Sequence, residues 1–456
     1  MSRLFGTDGV RGVAGTELSA ELALKIGMAA AVVLTKDCSG GKPLFLIGRD
    51  TRVSGQMLET ALAAGITAVG GNVLILGVTP TPAVAYLVKR RSAVAGIMIS
   101  ASHNPYEDNG IKIFSSSGFK LSDSVEDEIQ ALIDSGDYQK HQATGDDVGG
   151  FSYDNKANAE YIKHVASTIN GNLEGMRIVV DCANGSASAT AEPLFKMLGC
   201  NSIIINDNPT GKNINDRCGS TDLSDLIRHI KIHKCHLGLA FDGDADRCLA
   251  VDENGNVVDG DGLLAIFAKH FKDDGWLTGN TVVVTVMTNF GFFRFAEEDG
   301  INVISANVGD RYVLEEMQKG GFVLGGEQSG HIIFSEFSST GDGQLTAVQL
   351  VKILQNIGNK RLSYFRDIFE RVPQFLFNIK FTAEGLAAFE KDSEIKAKLE
   401  EIAASFGNNG RILVRKSGTE PLVRIMTEGL DATQASDFAT EAATFIKTKL
   451  KNYLVN

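Results

Sequence analysis

The sequence contains no apolar run near the ~18 residues that a membrane-spanning helix needs. Its opening residues, Met1-Ser2-Arg3-Leu4-Phe5, lack the apolar core of a signal peptide. Neither a membrane span nor export is expected, and the expected location is cytoplasmic. Cysteine is sparse and scattered, at positions 38, 182, 200, 218, 235 and 248. No Cys-x-x-Cys spacing and no matched histidine cluster occurs, which argues against a disulfide framework and against a zinc site. Positive charge is in deficit, with 44 Lys and Arg against 56 Asp and Glu and a net charge of -12. A chain so charged is not expected to take nucleic acid or an anionic membrane as its main partner. Low-complexity tracts are absent, and so is the Gly-x-x-x-x-Gly-Lys-Ser/Thr loop of a P-loop NTPase.

What is present is the composition of a globular protein, 43% hydrophobic and 22% charged, in a chain whose 456 residues exceed one core. Apolar runs alternate with helical patterns, which predicts a parallel or mixed sheet covered on both faces. One grammar recurs three times. A strand-like run (PLFLIG, RIVVDC, TVVVTVM) is followed by a helix and then by an Asn-led strand (NVLIL, NSIII, NVIS). This predicts three related α/β domains over 1–155, 156–256 and 257–370. The remainder, 371–456, carries FLFNIKF, helices, RILVR, the loop KSGTEP and a long terminal helix, and reads as a smaller α+β domain.

Four loops carry residues suited to chemistry. Ser100-Ala101-Ser102-His103-Asn104-Pro105 follows the apolar run Ala93 to Ile99 and leads into Ile111-Lys112-Ile113-Phe114, so a serine stands on a turn after a buried strand. Asp242-Gly243-Asp244-Ala245-Asp246-Arg247 follows the buried run Leu237 to Phe241. Three carboxylates at alternate positions repel one another unless a cation sits among them, and a hard ion, Mg²⁺ or Ca²⁺, suits oxygen ligands. An EF-hand does not fit, because Arg247 occupies the place of its glycine. A haloacid-dehalogenase phosphatase also places Asp-x-Asp after a strand, but Asp246 stands where Thr or Val is usual. Gly326-Glu327-Gln328-Ser329-Gly330-His331 offers groups for sugar hydroxyls and a histidine that titrates near neutrality. Arg415-Lys416-Ser417-Gly418-Thr419-Glu420-Pro421, with Arg424, has the hydroxyls, glycine N–H groups and guanidinium groups of a phosphate cradle.

Together these loops suit phosphoryl transfer on a phosphosugar. Lys112 and His331 are candidates to move protons between attacking and leaving oxygens, and Arg11 and Arg247 to steady the transferring group. His103 belongs with the catalytic residues by position, though not as the base for Ser102.

The motifs FGTDGVRG (from Phe5), SASHNP with NGIK, DGDADR, GEQSGH and RKSGTEP stand in the order of, and resemble, the α-D-phosphohexomutase family. The resemblance implies four domains around a central cleft and makes Ser102 the phosphoserine. Mg²⁺ would be held by Ser102 through its phosphate and by Asp242, Asp244 and Asp246. Glu327 and Ser329, with Gly309 and Asp310 of the Val308-Gly309-Asp310-Arg311 loop, are implied at the sugar. Arg415, Ser417, Gly418, Thr419 and Arg424 are implied at the phosphate that is not transferred. Gln328 matches the glucosamine branch of that family, whereas Ser100 replaces the threonine of many relatives. The implied substrate is a hexosamine phosphate, with glucosamine 6-phosphate and glucosamine 1-phosphate exchanging through glucosamine 1,6-bisphosphate on the way to UDP-N-acetylglucosamine. Hexose phosphates of the same family, or phosphatase chemistry at Asp242, are the alternatives, as is sugar-phosphate binding without turnover. A monomer or a homodimer is expected.

Overall fold

The computed structural model describes residues 3–6, 8–36, 38, 41–358, 361–417 and 421–455. They fall into two compact units, one of Met1–Met287 with Ile301–Arg366, the other of Thr288–Gly300 with Asp367–Asn456.

In the larger unit one strand topology is built three times. The apolar run after Pro43 forms the strand Leu44–Arg49, which lies between Asn72–Val78 and Ala95–Ile99 and is parallel to both. Asp108–Ser115 adds antiparallel to Ala95–Ile99. The same arrangement sets Arg177–Asp181 between Asn201–Ile205 and Leu237–Phe241, with Cys248–Asp252 antiparallel to the latter. It recurs with Thr281–Thr285 between Asn302–Ala306 and Leu324–Gly326, with Ile332–Phe334 antiparallel to the last. The mixed sheets expected from the recurring sequence grammar are therefore present. In each copy the strand entering the antiparallel pair is buried throughout, namely Ala95–Ile99, Leu237–Phe241 and Leu324–Gly326. That burial on both faces explains why these stretches read as unbroken apolar runs rather than alternating ones.

The consequence for function lies in the connections. Ser102 to His103, Asp242 to Arg247 and Glu327 to His331 occupy the equivalent loop of the three copies, just beyond the carboxyl end of a buried parallel strand. Open α/β sheets present ligand-binding loops at that end.

In the smaller unit, Gln374–Lys380 and Gly410–Lys416 flank Leu422–Gly429 in an antiparallel sheet, and the helix Ala432–Lys449 supplies buried Ala435, Ala439, Ala442, Ala443 and Ile446 to its core. The helix Phe290–Glu298 belongs to this unit rather than to the third α/β copy that surrounds it in sequence. Phe292 meets Phe369 edge-on, and the Asn289 side chain bonds both the carbonyl and the amide of Val372. The carboxylate of Glu428 is fully buried there and is paired with Arg411 at 2.8 Å.

Among the described residues, no helix is long and apolar enough to cross a membrane. The six cysteines are free, Cys38 exposed and the others buried.

Candidate active site

Ser102 is buried and holds its backbone in the left-handed region, with φ at 52°. For a residue with a Cβ this costs about 1–2 kcal/mol, so the surroundings must impose it. The strand pairing Met98↔Lys112 and Ile99↔Ile111 brings the two ends of the Ser102 loop together and places Lys112 at its base. Ser102 Oγ donates to Asp242 Oδ2 at 2.6 Å and lies 3.3 Å from His103 Nδ1. Serine and first aspartate, far apart in the chain, thus form one short contact.

Asp242, Asp244 and Asp246 are buried, and a carboxylate oxygen of each lies within 4.8 Å of the others. Burial, and then the charges of Asp246 and Asp244, push the Asp242 carboxyl well above the usual carboxylate range. Burial acts the same way on Asp246, but Lys112 and His331 outweigh it and hold that carboxyl well below the range. Asp244 Oδ1 and Asp246 Oδ1 are buried and accept no hydrogen bond. Buried anionic oxygens without donors, converging in one place, are the ligand set of a hard divalent cation, and the triad fits such an ion.

Lys112 is buried with Nζ 2.9 Å from Asp244, 3.2 Å from Asp8 and 3.6 Å from Asp246. Burial opposes its charge, yet the three carboxylates prevail and keep the ammonium protonated well above the usual lysine range. Thr81 Oγ1 donates to the same Asp244 oxygen at 2.6 Å. His331 is also buried, its Nδ1 3.6 Å from Asp246 and its Nε2 3.5 Å from Asp310. Against the cost of burial, Asp246, Asp310 and Glu327 raise its pKa to about 9. The Gly341 amide pulls the other way, donating to Nε2 at 3.0 Å, a bond that only the neutral ring accepts. A cation among the aspartates would withdraw much of the carboxylate support and favour that neutral ring.

Arg247 donates from its amide to Asp242 Oδ1 at 3.2 Å, and its Nη1 lies 3.2 Å from His103 Nδ1. His103 is on the exposed side of the loop. Partial burial, then Arg247 and Arg11, lower its pKa to about 4, so the ring is neutral near pH 7. Glu327 Oε1 accepts from the Gly309 amide at 3.1 Å, while Ser329 Oγ is buried without a hydrogen-bond partner. Asp310 is bound to Lys120 at 2.6 Å.

Four family models match the chain in order. Their descriptions are phosphoglucomutase/phosphomannomutase alpha/beta/alpha domain I over residues 2–140, domain II over 159–255, domain III over 259–372, and the C-terminal domain over 376–445. The chain belongs to the phosphoglucomutase/phosphomannomutase family. Among curated members of the family, the phosphoglucosamine mutase of Clostridium perfringens is 50% identical over 449 residues, covering 98% of this chain and 100% of that one. The phosphoglucosamine mutase of Brevibacillus brevis is 48% identical over 450 residues, 99% of this chain and 100% of that one. Of solved structures, a family protein from Burkholderia thailandensis superposes with a TM-score of 0.83 at 23% identity, covering 99% and 98% of the two chains. The N-acetylphosphoglucosamine mutase of Aspergillus fumigatus, in complex with GlcNAc-6P and magnesium, gives 0.69 at 18% identity, covering 98% and 95%.

Of the residues expected from the family motifs, Ser102, His103, Lys112, Asp242, Asp244, Asp246, Arg247 and His331 meet in one cluster. Arg11 reaches it through Asp8, to which it is ion-paired. Arg415, Ser417 and Arg424 lie in the smaller unit, where Arg415 stands directly opposite Arg424 on neighbouring antiparallel strands. Like charges so placed are unfavourable without an anion, and burial followed by Arg424 lowers the Arg415 pKa. Gly418 and Thr419 lie outside the described residues. Asp8, Lys120 and Thr81 were not singled out from the sequence. Asp8 bridges Lys112 and Lys120, and FGTDGVRG contained it, but nothing local distinguishes a bridging aspartate from a turn residue.

Gly243 is required by close approach. A Cβ there would stand 2.5 Å from the Ser102 carbonyl oxygen, 2.8 Å from Ile214 Cδ1 and 3.0 Å from Asn215 Nδ2. Gly243→Ala is therefore expected to displace the serine from the triad. Turnover should fall about 10²-fold for a shift near 1 Å, and the melting temperature should fall modestly, as for an overpacked site.

Proposed function

We propose that the protein interconverts glucosamine 6-phosphate and glucosamine 1-phosphate, using Ser102 as a phosphate carrier. The observation that carries this reading is the 2.6 Å contact of Ser102 Oγ with a buried aspartate triad in which Asp244 Oδ1 and Asp246 Oδ1 accept no hydrogen bond. The hexosamine is supported by the phosphoglucosamine mutases that match the whole chain at about half identity.

In the forward direction the 1-hydroxyl of glucosamine 6-phosphate attacks the phosphoryl group on Ser102. The bond from phosphorus to Oγ breaks as the bond to the sugar oxygen forms, giving glucosamine 1,6-bisphosphate. The hydroxyl proton leaves to a base and Oγ gains one, so protons balance within the site. After the bisphosphate turns over, its 6-phosphate returns to Ser102 and glucosamine 1-phosphate departs. Asp242, Asp244 and Asp246, with the phosphate on Ser102, would hold Mg²⁺, which supplies charge neutralisation at the transferring group. Lys112 Nζ holds a proton beside Asp244 and Asp8, suited to an oxygen that develops charge. His331, buried between Asp246 and Asp310, is suited to the opposite proton movement. In this reading Arg11 and Arg247 would steady the phosphoryl group and Glu327, Ser329, Gly309 and Asp310 would contact the sugar, while the family resemblance assigns Arg415, Ser417 and Arg424 to the phosphate that is not transferred.

An aspartyl-phosphate mechanism at Asp242 is disfavoured, because Ser102 Oγ occupies one of its oxygens and the Arg247 amide the other. The deciding experiment measures interconversion of glucosamine, glucose and mannose 6-phosphates, with and without a 1,6-bisphosphate primer. Fastest turnover with glucosamine 6-phosphate, stimulated by primer, is the expected result. Turnover confined to glucose or mannose phosphates would place the substrate elsewhere in the family.

A further inference from the structure

Arg52 is among the largest fully buried side chains, and the sequence around it (Gly48-Arg49-Asp50-Thr51-Arg52) carries no motif that marks it. All five N–H groups of its guanidinium are used. Nε donates to Asp50 Oδ2 at 2.8 Å. Nη2 donates to the carbonyls of Ser102 at 3.0 Å and Asn104 at 2.8 Å. Nη1 donates to the carbonyls of Pro105 and Asp108. The Ser102 loop therefore wraps its carbonyls around one planar fork. A lysine, with a point charge and three donors on a flexible stem, has no equivalent geometry.

Both peptide units flanking Ser102 lead back to the same pair. On the carbonyl side, Ser102 O accepts from Arg52 Nη2 and also from Asn215 Nδ2 at 2.9 Å, so both lone pairs are occupied. On the amide side, Ser102 N donates to Ser100 Oγ at 2.9 Å, and Ser100 Oγ donates to Asp50 Oδ2 at 2.7 Å. That is the oxygen which accepts from Arg52 Nε. Rotating the serine out of its left-handed conformation would break bonds on both sides at once.

We propose that Arg52 is a positioning residue for phosphoryl transfer: with Asp50 it holds Ser102 in the left-handed backbone that aims Oγ at Asp242. This rests on the phosphoserine reading above and deepens it. Arg52 touches neither the triad nor the transferring group, and acts through the loop backbone.

The test is Arg52→Lys, which keeps the charge and removes the fork. Steady-state turnover of glucosamine 6-phosphate is measured together with the rate at which glucosamine 1,6-bisphosphate phosphorylates Ser102, followed by intact mass. Both kcat and the charging rate are expected to fall about 10²-fold, with KM for the sugar phosphate changed less than about 3-fold. A purely structural role would lower the melting temperature without this split. A folded Arg52→Lys protein with kcat and charging near wild type overturns the proposal. Should the variant not fold, Asn215→Ala carries the test, since it takes a second donor from the same Ser102 carbonyl. It should lower kcat about 10-fold at unchanged KM, and unchanged kcat there overturns the proposal equally. If the wild-type protein itself neither interconverts the sugar phosphates nor takes phosphate on Ser102, the phosphoserine reading has failed instead.

Discussion

Ser102→Ala is expected to abolish turnover, with kcat reduced on the order of 10⁴-fold or more, the scale on which loss of a covalent nucleophile acts. Oγ is the only atom removed, and its shorter contact is with Asp242, a carboxyl that burial and its neighbours already drive toward the protonated form, the longer one being with His103 Nδ1. The fold should survive, because the loop is held through its backbone by Arg52, Asn215 and Ser100 rather than through Oγ. Far-ultraviolet circular dichroism should match the wild type. Intact mass should show one phosphoryl group on the wild-type protein exposed to glucosamine 1,6-bisphosphate, and none on the variant. Exchangeable phosphate recovered on Asp242 instead would overturn the carrier role of Ser102.

The second large effect concerns the triad. Chelation by EDTA should remove activity and Mg²⁺ should restore it. Mg²⁺ should also raise the melting temperature, since a ligand that binds only the folded state at 100 times its Kd stabilises by about 2.7 kcal/mol. Asp242→Asn separates stability from function. In the metal-free protein the ionised Asp242 is unfavourable, because burial, Asp246 and Asp244 all oppose its charge. Its folded pKa lies above its unfolded one, so its contribution is fully present below the unfolded value and is lost as pH rises through the folded value. The asparagine variant should therefore melt above the metal-free wild type at neutral and alkaline pH, and the gain should vanish toward acid. The same variant should lose both the Mg²⁺-induced rise in melting temperature and the activity. A variant that kept the Mg²⁺ response would exclude Asp242 from the ligand set.

Much of the fold and site is legible in the chain itself. Buried strands announce themselves as the unbroken apolar runs ending at Ile99, Phe241 and Gly326, and each is followed at once by its polar loop. Local order was enough because the alternation of strand and helix, and the residues just beyond each strand, are set within a few tens of positions. The three-Asp loop is legible for a different reason: carboxylates so close together demand a cation wherever the chain puts them.

Tertiary structure decided what long separations hide. Arg52 and Asp8 are charged residues that ordinarily lie at the surface, and only the fold turns one into a buried clamp on four carbonyls and the other into a bridge between Lys112 and Lys120. The helix Phe290–Glu298 reads as the crossover of the third α/β copy, yet its aromatic face and Asn289 join it to the smaller unit through Phe369 and Val372. The protonation states were likewise undetermined by residue type, since against burial Lys112 takes its charge from Asp244, Asp8 and Asp246, and Asp246 takes its own from Lys112 and His331. A sequence specifies which groups are available. Which of them meet, and in what charge state, depends on contacts between residues a hundred or more positions apart, where a low-dielectric interior makes each neighbour count.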